Sequence, residues 1–175
     1  MVQNTPDEEY RLVAAVLCFA GHWRLQDKLG RKLSEIHGPV PHYDPAVAKR
    51  VNRVFEHLKP AMPAYRINWS VVTRPDLFAP DPAPERRKTS DVDVTLYLRV
   101  ERQSFVRLPK SNAIVFGIRT CISLLSGLSH EETQELAKSV AQHSESMREY
   151  KGGSDFFDVL KRRLSAHIDV GAPTK

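Results

Sequence analysis

The stretch from Val92 to Leu125 limits the fold more than any other part of the chain. Val94, Leu96, Leu98, Val100 and Arg102 alternate with Thr95, Tyr97, Arg99, Glu101 and Gln103, a period of two that belongs to a strand from Val92 to Leu108. Pro109 to Asn112 supply turn residues, and Ala113 to Leu125 resumes as an apolar run, so the two segments are expected to pair as an antiparallel hairpin. Tyr65 to Thr73, with Ile67, Trp69 and Val71 in alternation, reads as another strand, and the apolar run Tyr10 to Phe19, bounded by Gly21, as a buried one. A sheet of this kind needs cover on its apolar face, and helical patterns lie on either side of it. The expected class is therefore α+β, with an antiparallel sheet flanked by helices.

Asp44 followed by Pro45 is an N-cap with proline in the first turn, and Val47, Val51, Val54, Phe55 and Leu58 recur at helical spacing. Val51, Phe55 and Leu58 share one stripe and should pack onto the sheet. Trp23 to Leu29 suits about two turns of helix stopped by Gly30. His37-Gly38-Pro39-Val40-Pro41 is expected to be a stiff non-helical loop, since each proline lacks an amide hydrogen and disfavours the α region for its predecessor. Ser129 with Glu132 forms a capping box that opens a helix to about Tyr150, and Gly152-Gly153 separates it from a final amphipathic helix, Ser154 to about Ile168. Residues 75–90, with Pro75, Pro80, Pro82 and Pro84 and then Arg86-Arg87-Lys88, read as a polar connection. Residues 1–150 are expected to form a single domain, with 151–175 as a C-terminal helix and tail.

Composition excludes several classes. At 175 residues the chain buries enough surface to fold without staples, and two cysteines do not make a disulfide scaffold. Leu12 to Ala20, the longest apolar stretch, is nine residues, about half of what a membrane span needs, and no charged and apolar leader opens the chain, so a cytoplasmic protein without a membrane role is expected. A net charge of +5 favours acidic partners without choosing among them. Arg99, Arg102, Arg107 and Lys110 form a basic cluster, but Glu101 interrupts it and the aromatic motif of an RNA-binding sheet is absent, so nucleic acid is not the expected partner. Cys18 and His22, with His37 and His42, echo a zinc pattern only loosely, because no Cys pair at ligand spacing exists and Cys18 sits within the expected strand. The G-x-S-x-G elbow, C-x-x-C and P-loop patterns are missing.

Arg99, Glu101, Arg102 and Gln103 place three charges and an amide within a strand that otherwise reads as buried, and buried charges need partners. One strand face brings Arg99, Glu101 and Gln103 together. Glu101 either pairs with Arg99 alone or serves a pocket for an amine or another cation.

Four separated blocks, in order, resemble a known family. They are Trp23-Arg24-Leu25 with Lys28-Leu29-Gly30; Ile36-His37-Gly38-Pro39-Val40-Pro41; Arg66-Ile67-Asn68-Trp69; and Leu98 to Gln103 followed by Arg107-Leu108-Pro109. Together they are similar to the α subunit of haem-dependent oxidative N-demethylases over about Glu8 to Leu125. The resemblance implies a PAS-like fold that binds haem b, oxidative removal of a methyl group from small amines such as dimethylamine, and electrons from a separate flavin and iron-sulfur reductase or ferredoxin-like subunit. Members of the family carry a substantial segment before the strand that starts here near Tyr10, and this chain is expected to lack it. The alternative that keeps the fold is a non-catalytic PAS-like haem-binding or sensor domain.

Within that resemblance, the axial ligand of the haem iron is sought among His22, His37, His42, Cys18 and Cys121. His37 is preferred, because it lies beside a glycine and two prolines that stiffen its backbone. Arg24, Lys28, Arg66 and Arg99 are the candidate haem-binding cations. Glu101 is the candidate partner of a protonated amine, with Arg102 or Arg99 tuning its ionisation and Gln103 supplying a hydrogen bond, so Glu101, Arg102 and Gln103 form the expected catalytic set.

Overall fold

The computed structural model describes residues 1–4, 9–81 and 94–170. Its strands are β1 (Val2–Asn4), β2 (Tyr10–Leu12), β3 (Ala64–Val72), β4 (Tyr97–Arg107) and β5 (Ile114–Leu124), hydrogen-bonded in the order β2-β1-β5-β4-β3. Its helices are α1 (Leu33–His37), α2 (Pro45–His57), α3 (His130–Ala141), α4 (Glu145–Lys151) and α5 (Ser154–Val170). The fold is α+β, with an antiparallel sheet and flanking helices, as the alternation and the capping signals require. Described residues within Met1–Trp69, Asp76–Pro82 and Val100–Cys121 form one compact unit, and those within Ser70–Pro75, Ala83–Arg99 and Ile122–Lys175 form a second.

In the first unit, β1 pairs antiparallel with β2 (Val2 opposite Leu12, Asn4 opposite Tyr10) and with β5 (Val2 opposite Ile114). The hairpin turn closes through the Leu108 amide on the Ala113 carbonyl at 2.8 Å. Asp44 caps α2 as its sequence predicts, its carboxylate accepting from the Val47 amide at 2.8 Å. Phe55 and Leu58 are buried with Val2, Tyr10, Leu33 and Ile114, and Val51 packs against that cluster, so the expected stripe does meet the sheet. Aromatic contacts run through this core: Tyr10 meets Phe55 edge-on at 5.2 Å, Phe55 meets Phe105 at 5.5 Å, and Phe105 stacks on Phe116 at 4.9 Å.

Four sequence expectations give way here. The run Tyr10 to Phe19 is a strand only over Tyr10–Leu12, because its partner β1 has three residues and the pairing ends with it; Val16 is 91% exposed and Cys18 lies at the surface. An apolar run without alternation specifies no register. The expected helix Trp23 to Leu29 shrinks to one 3-10 turn, Leu25–Asp27, since so short a segment cannot offset the cost of helix nucleation. Its glycine stop is present, with Gly30 at φ +80°. His37 is not in a loop but ends α1, and Gly38, although it precedes Pro39, keeps α-region angles (φ −48°, ψ −38°), which a residue without Cβ tolerates next to proline. β4 starts at Tyr97 rather than Val92; Val92 and residues 82–90 of the proline-rich connection lie outside the described residues.

The second unit is built on α3, α4 and α5. Ser129 and Glu132 form the expected capping box, with the Ser129 amide donating to the Glu132 carboxylate at 2.8 Å and the Glu132 amide to the Ser129 hydroxyl at 3.2 Å. The helix expected to reach Tyr150 ends at Ala141, and Ser144 caps a new one by accepting from the Met147 amide at 3.3 Å. Gly152 and Gly153 take positive φ (156° and 93°), and a Cβ on Gly152 would meet the Phe156 ring at 2.8 Å, so the expected break is enforced by packing as well as by backbone. Phe157, Leu160 and Leu164 of α5 are buried, as are Leu136 and Val140 of α3, and the two helices pack on each other. Among the described residues no helix is long and apolar enough to cross a membrane.

Burial in the first unit decides which residues of the α2 stripe matter. Phe55→Ala is expected to lower the stability measured by urea denaturation by about 3 to 5 kcal/mol. Val54→Ala, at a position 59% exposed, should change it by no more than about 0.5 kcal/mol.

Candidate haem and amine site

The short helix α1 is held at its start and chemically distinctive at its end. Glu9 accepts from the Ser34 amide at 3.1 Å and lies 3.6 Å from the Lys32 ammonium. Burial alone would raise its pKa, but the Ser34 hydrogen bond and the Lys32 charge bring it below the usual carboxylate value. At the other end, His37 Nδ1 lies 2.8 Å from the Leu33 carbonyl, one turn back. A carbonyl only accepts, so Nδ1 carries the proton and, in the neutral ring, Nε2 carries the lone pair. No hydrogen-bond partner holds Nε2 among the described residues. Burial pushes the His37 pKa below its ordinary value, against the Leu33 carbonyl, which favours the charged ring; the cations Arg66 and Lys28 push it further down.

The ring is also held on its face. Tyr43 stacks on it with centroids 4.7 Å apart and planes 17° from parallel. The connection between α1 and α2 brings Tyr43 back through two turns, with the Val40 amide on the His37 carbonyl at 2.8 Å and the Tyr43 amide on the Val40 carbonyl at 3.2 Å. Between them His42 takes φ +63°.

Lys28, His37 and Arg66, three of the residues expected from sequence, are thus brought together. Lys28 Nζ donates to the Ile36 carbonyl at 3.1 Å, beside His37. Arg66 lies on β3, and its Nε donates to Gln103 Oε1 on β4 at 2.6 Å. The other end of the same amide, Gln103 Nε2, donates to Glu101 Oε2 at 3.3 Å, and Asn68 Nδ2 reaches that oxygen at 3.5 Å. Gln103 is only 5% exposed, so both ends of its amide are satisfied where leaving one unpaired would be costly. Two steps along each strand keep Arg66 with Asn68, and Glu101 with Gln103, on shared faces.

The remaining expected residues lie elsewhere. Arg102 points from the opposite strand face, its guanidinium 4.9 Å from the centroid of the Tyr65 ring. Arg24 pairs with the Asp81 carboxylate at the surface, where His22 Nδ1 also meets the Asp81 carbonyl at 3.1 Å. Arg99 is buried at 5% exposure and falls in the second unit. Cys18 and Cys121 are exposed, as is His42. A separate groove of about 790 Å³, lined by Tyr10, Leu58 and Arg107 among others, includes none of the expected site residues.

Sequence reading missed Tyr43 and gave no role to Asn68. For Asn68 a signal was present, since strand periodicity puts it on the face of Arg66. For Tyr43 none was, because its approach to His37 depends on the turn at His42.

Among the described residues, the first unit thus gathers an imidazole engaged through Nδ1 only, two cations beside it and an amide-linked carboxylate on the adjoining strands. A model of the family described as haem-dependent oxidative N-demethylase, alpha subunit-like, matches residues 1–161, and the chain belongs to that family. The family's name carries haem dependence and oxidative N-demethylation.

The lowered His37 pKa has a definite sign. The folded value lies below the unfolded one, so the unfolded chain takes up the proton first as the pH falls. The stability associated with the neutral ring is complete above the ordinary histidine value of about 6.5 and is lost as the pH falls from there through the folded value. The stability of the protein relative to His37→Gln, from urea melts, should be constant above about pH 7 and decline below about 6.5. A difference that stays flat down to pH 5 contradicts the assignment.

Proposed function

We propose that the chain is a haem-binding subunit that catalyses oxidative N-demethylation of small secondary or tertiary amines, with oxygen as oxidant and electrons from a separate flavin and iron-sulfur reductase or ferredoxin-like subunit. The fold is read as PAS-like, the haem as haem b, and the setting as cytoplasmic. The observation that carries the proposal is His37: an imidazole whose Nδ1–H donates to the Leu33 carbonyl, leaving the Nε2 lone pair for a metal, in a family named for haem dependence. The residues around it fit such a group. Lys28 and Arg66 supply positive charge for the propionates.

Bound haem would supply oxygen activation at an iron with one open coordination position. The protein's part is to hold His37 in one tautomer and to bring the amine to the metal with its charge satisfied. A secondary amine is protonated at neutral pH, and Glu101, oriented by Gln103 and Asn68, is the carboxylate that holds it and accepts its proton. The overall change balances as one methyl group oxidised to formaldehyde while two electrons from the reductase and two protons accompany reduction of the second oxygen atom to water. Arg102 lies with its guanidinium over the Tyr65 ring, on the opposite strand face from Glu101.

Protein reconstituted with haem should show a Soret band that His37→Ala abolishes or shifts, and an unchanged spectrum would move the ligand to His22 or His42. Glu101→Gln should keep the Soret band and the melting temperature but weaken amine binding, read from amine-induced spectral shifts, by about ten-fold to a hundred-fold, the loss of one charge-assisted hydrogen bond. Release of formaldehyde from dimethylamine in the presence of a reductase tests the reaction itself. Haem binding with no turnover would identify a non-catalytic binding or sensor domain.

A further inference from the structure

We infer that Tyr43 is the positioning residue that fixes the plane of the His37 imidazole, and so the orientation of the axial ligand about the metal–nitrogen bond. The inference rests on the proposed role of His37 and adds a residue that neither the sequence blocks nor the family's name assigns. An imidazole bound through Nε2 retains one freedom that matters, rotation about the axis through that nitrogen. The Leu33 carbonyl restrains it from one edge, through Nδ1 at 2.8 Å. A single hydrogen bond tolerates a broad range of ring tilt around its own direction. The face-on contact with Tyr43, at 4.7 Å and 17°, removes that range, because tilting the imidazole drives it into the phenol ring. Edge and face restraints together leave one ring orientation.

The contact is built into the backbone. Tyr43 reaches His37 through turns closed by backbone hydrogen bonds at 2.8 and 3.2 Å, and the residue after it, Asp44, is fastened as the N-cap of α2. Tyr43 therefore cannot retreat without loosening α2. The role belongs to the ring and not to the hydroxyl: the stack uses the face, so phenylalanine should replace tyrosine and an aliphatic residue should not.

The test uses a protein in which the imidazole is no longer tethered. His37→Gly, reconstituted with haem, should bind added imidazole and regain the wild-type Soret band. With Tyr43→Phe in the same chain the imidazole affinity should be kept. With Tyr43→Leu it should fall by about ten-fold. Equal affinity in the Leu and Phe backgrounds overturns the positioning role while leaving His37 as the ligand. Haem that stays bound to His37→Gly without any response to imidazole overturns the ligand assignment and this inference with it. A measurement on the haem-free protein with His37 intact guards against misfolding of the glycine variants. The His37 ring protons, shielded by the face of Tyr43, should move downfield in Tyr43→Leu and stay in place in Tyr43→Phe; no movement in the Leu variant overturns the inference.

Discussion

Arg107 is the cation on which the first unit is assembled. It ends β4, and its guanidinium donates to four acceptors from three other segments: the Leu58 carbonyl at 2.6 Å, the Phe55 carbonyl, the Asn112 carbonyl at 2.8 Å and the Tyr10 hydroxyl at 3.2 Å. Two of these carbonyls belong to the end of α2, where the helix leaves its last acceptors unpaired and where positive charge is favoured by the aligned peptide dipoles. A planar fork with five donors can serve helix end, hairpin turn and β2 at once, and a lysine could not. This is why Phe55 and Leu58 are presented to the sheet at a fixed depth.

The parts of this arrangement legible in the sequence are those written by local chemistry. Asp44-Pro45, Ser129 with Glu132 and Gly152-Gly153 mark helix boundaries through the hydrogen-bonding and φ preferences of single residues, and each holds in the structure. Strands β3 and β4 were legible because alternation marks a strand with two distinct faces, and the hairpin because turn residues, Pro109 to Asn112, join β4 to the next apolar segment. What failed depended on partners. Tyr10 to Phe19 has the composition of a strand, but β1 offers it only three residues to pair with. Ser144 was present as a cap signal, and the helical pattern running past it hid the break between α3 and α4.

The candidate site shows the same division. That Glu101 and Gln103 share a face with each other follows from strand periodicity alone, as does the separation of Arg102 onto the opposite face. Which charge each of them meets does not follow from it, because that depends on the offset between β3 and β4. The observed offset sets Arg66 against Gln103 and Asn68 against Glu101, so four residues from two sequence blocks become one hydrogen-bonded set. Blocks that looked like independent markers are two sides of one ladder.

Arg66 then has a double position that explains why a neutral amide lies beside it. Its charge acts on His37, lowering that ring's affinity for a proton, while its Nε is held by Gln103. Were the acceptor at Gln103 Oε1 a carboxylate, it would neutralise the arginine and weaken this effect on the imidazole. An amide satisfies the donor without cancelling the charge, and its other end donates to Glu101, which a carboxylate could not do. Gln103 therefore lets a cation that favours a neutral imidazole and the Glu101 carboxylate share one short stretch of sheet, each held by one end of the amide.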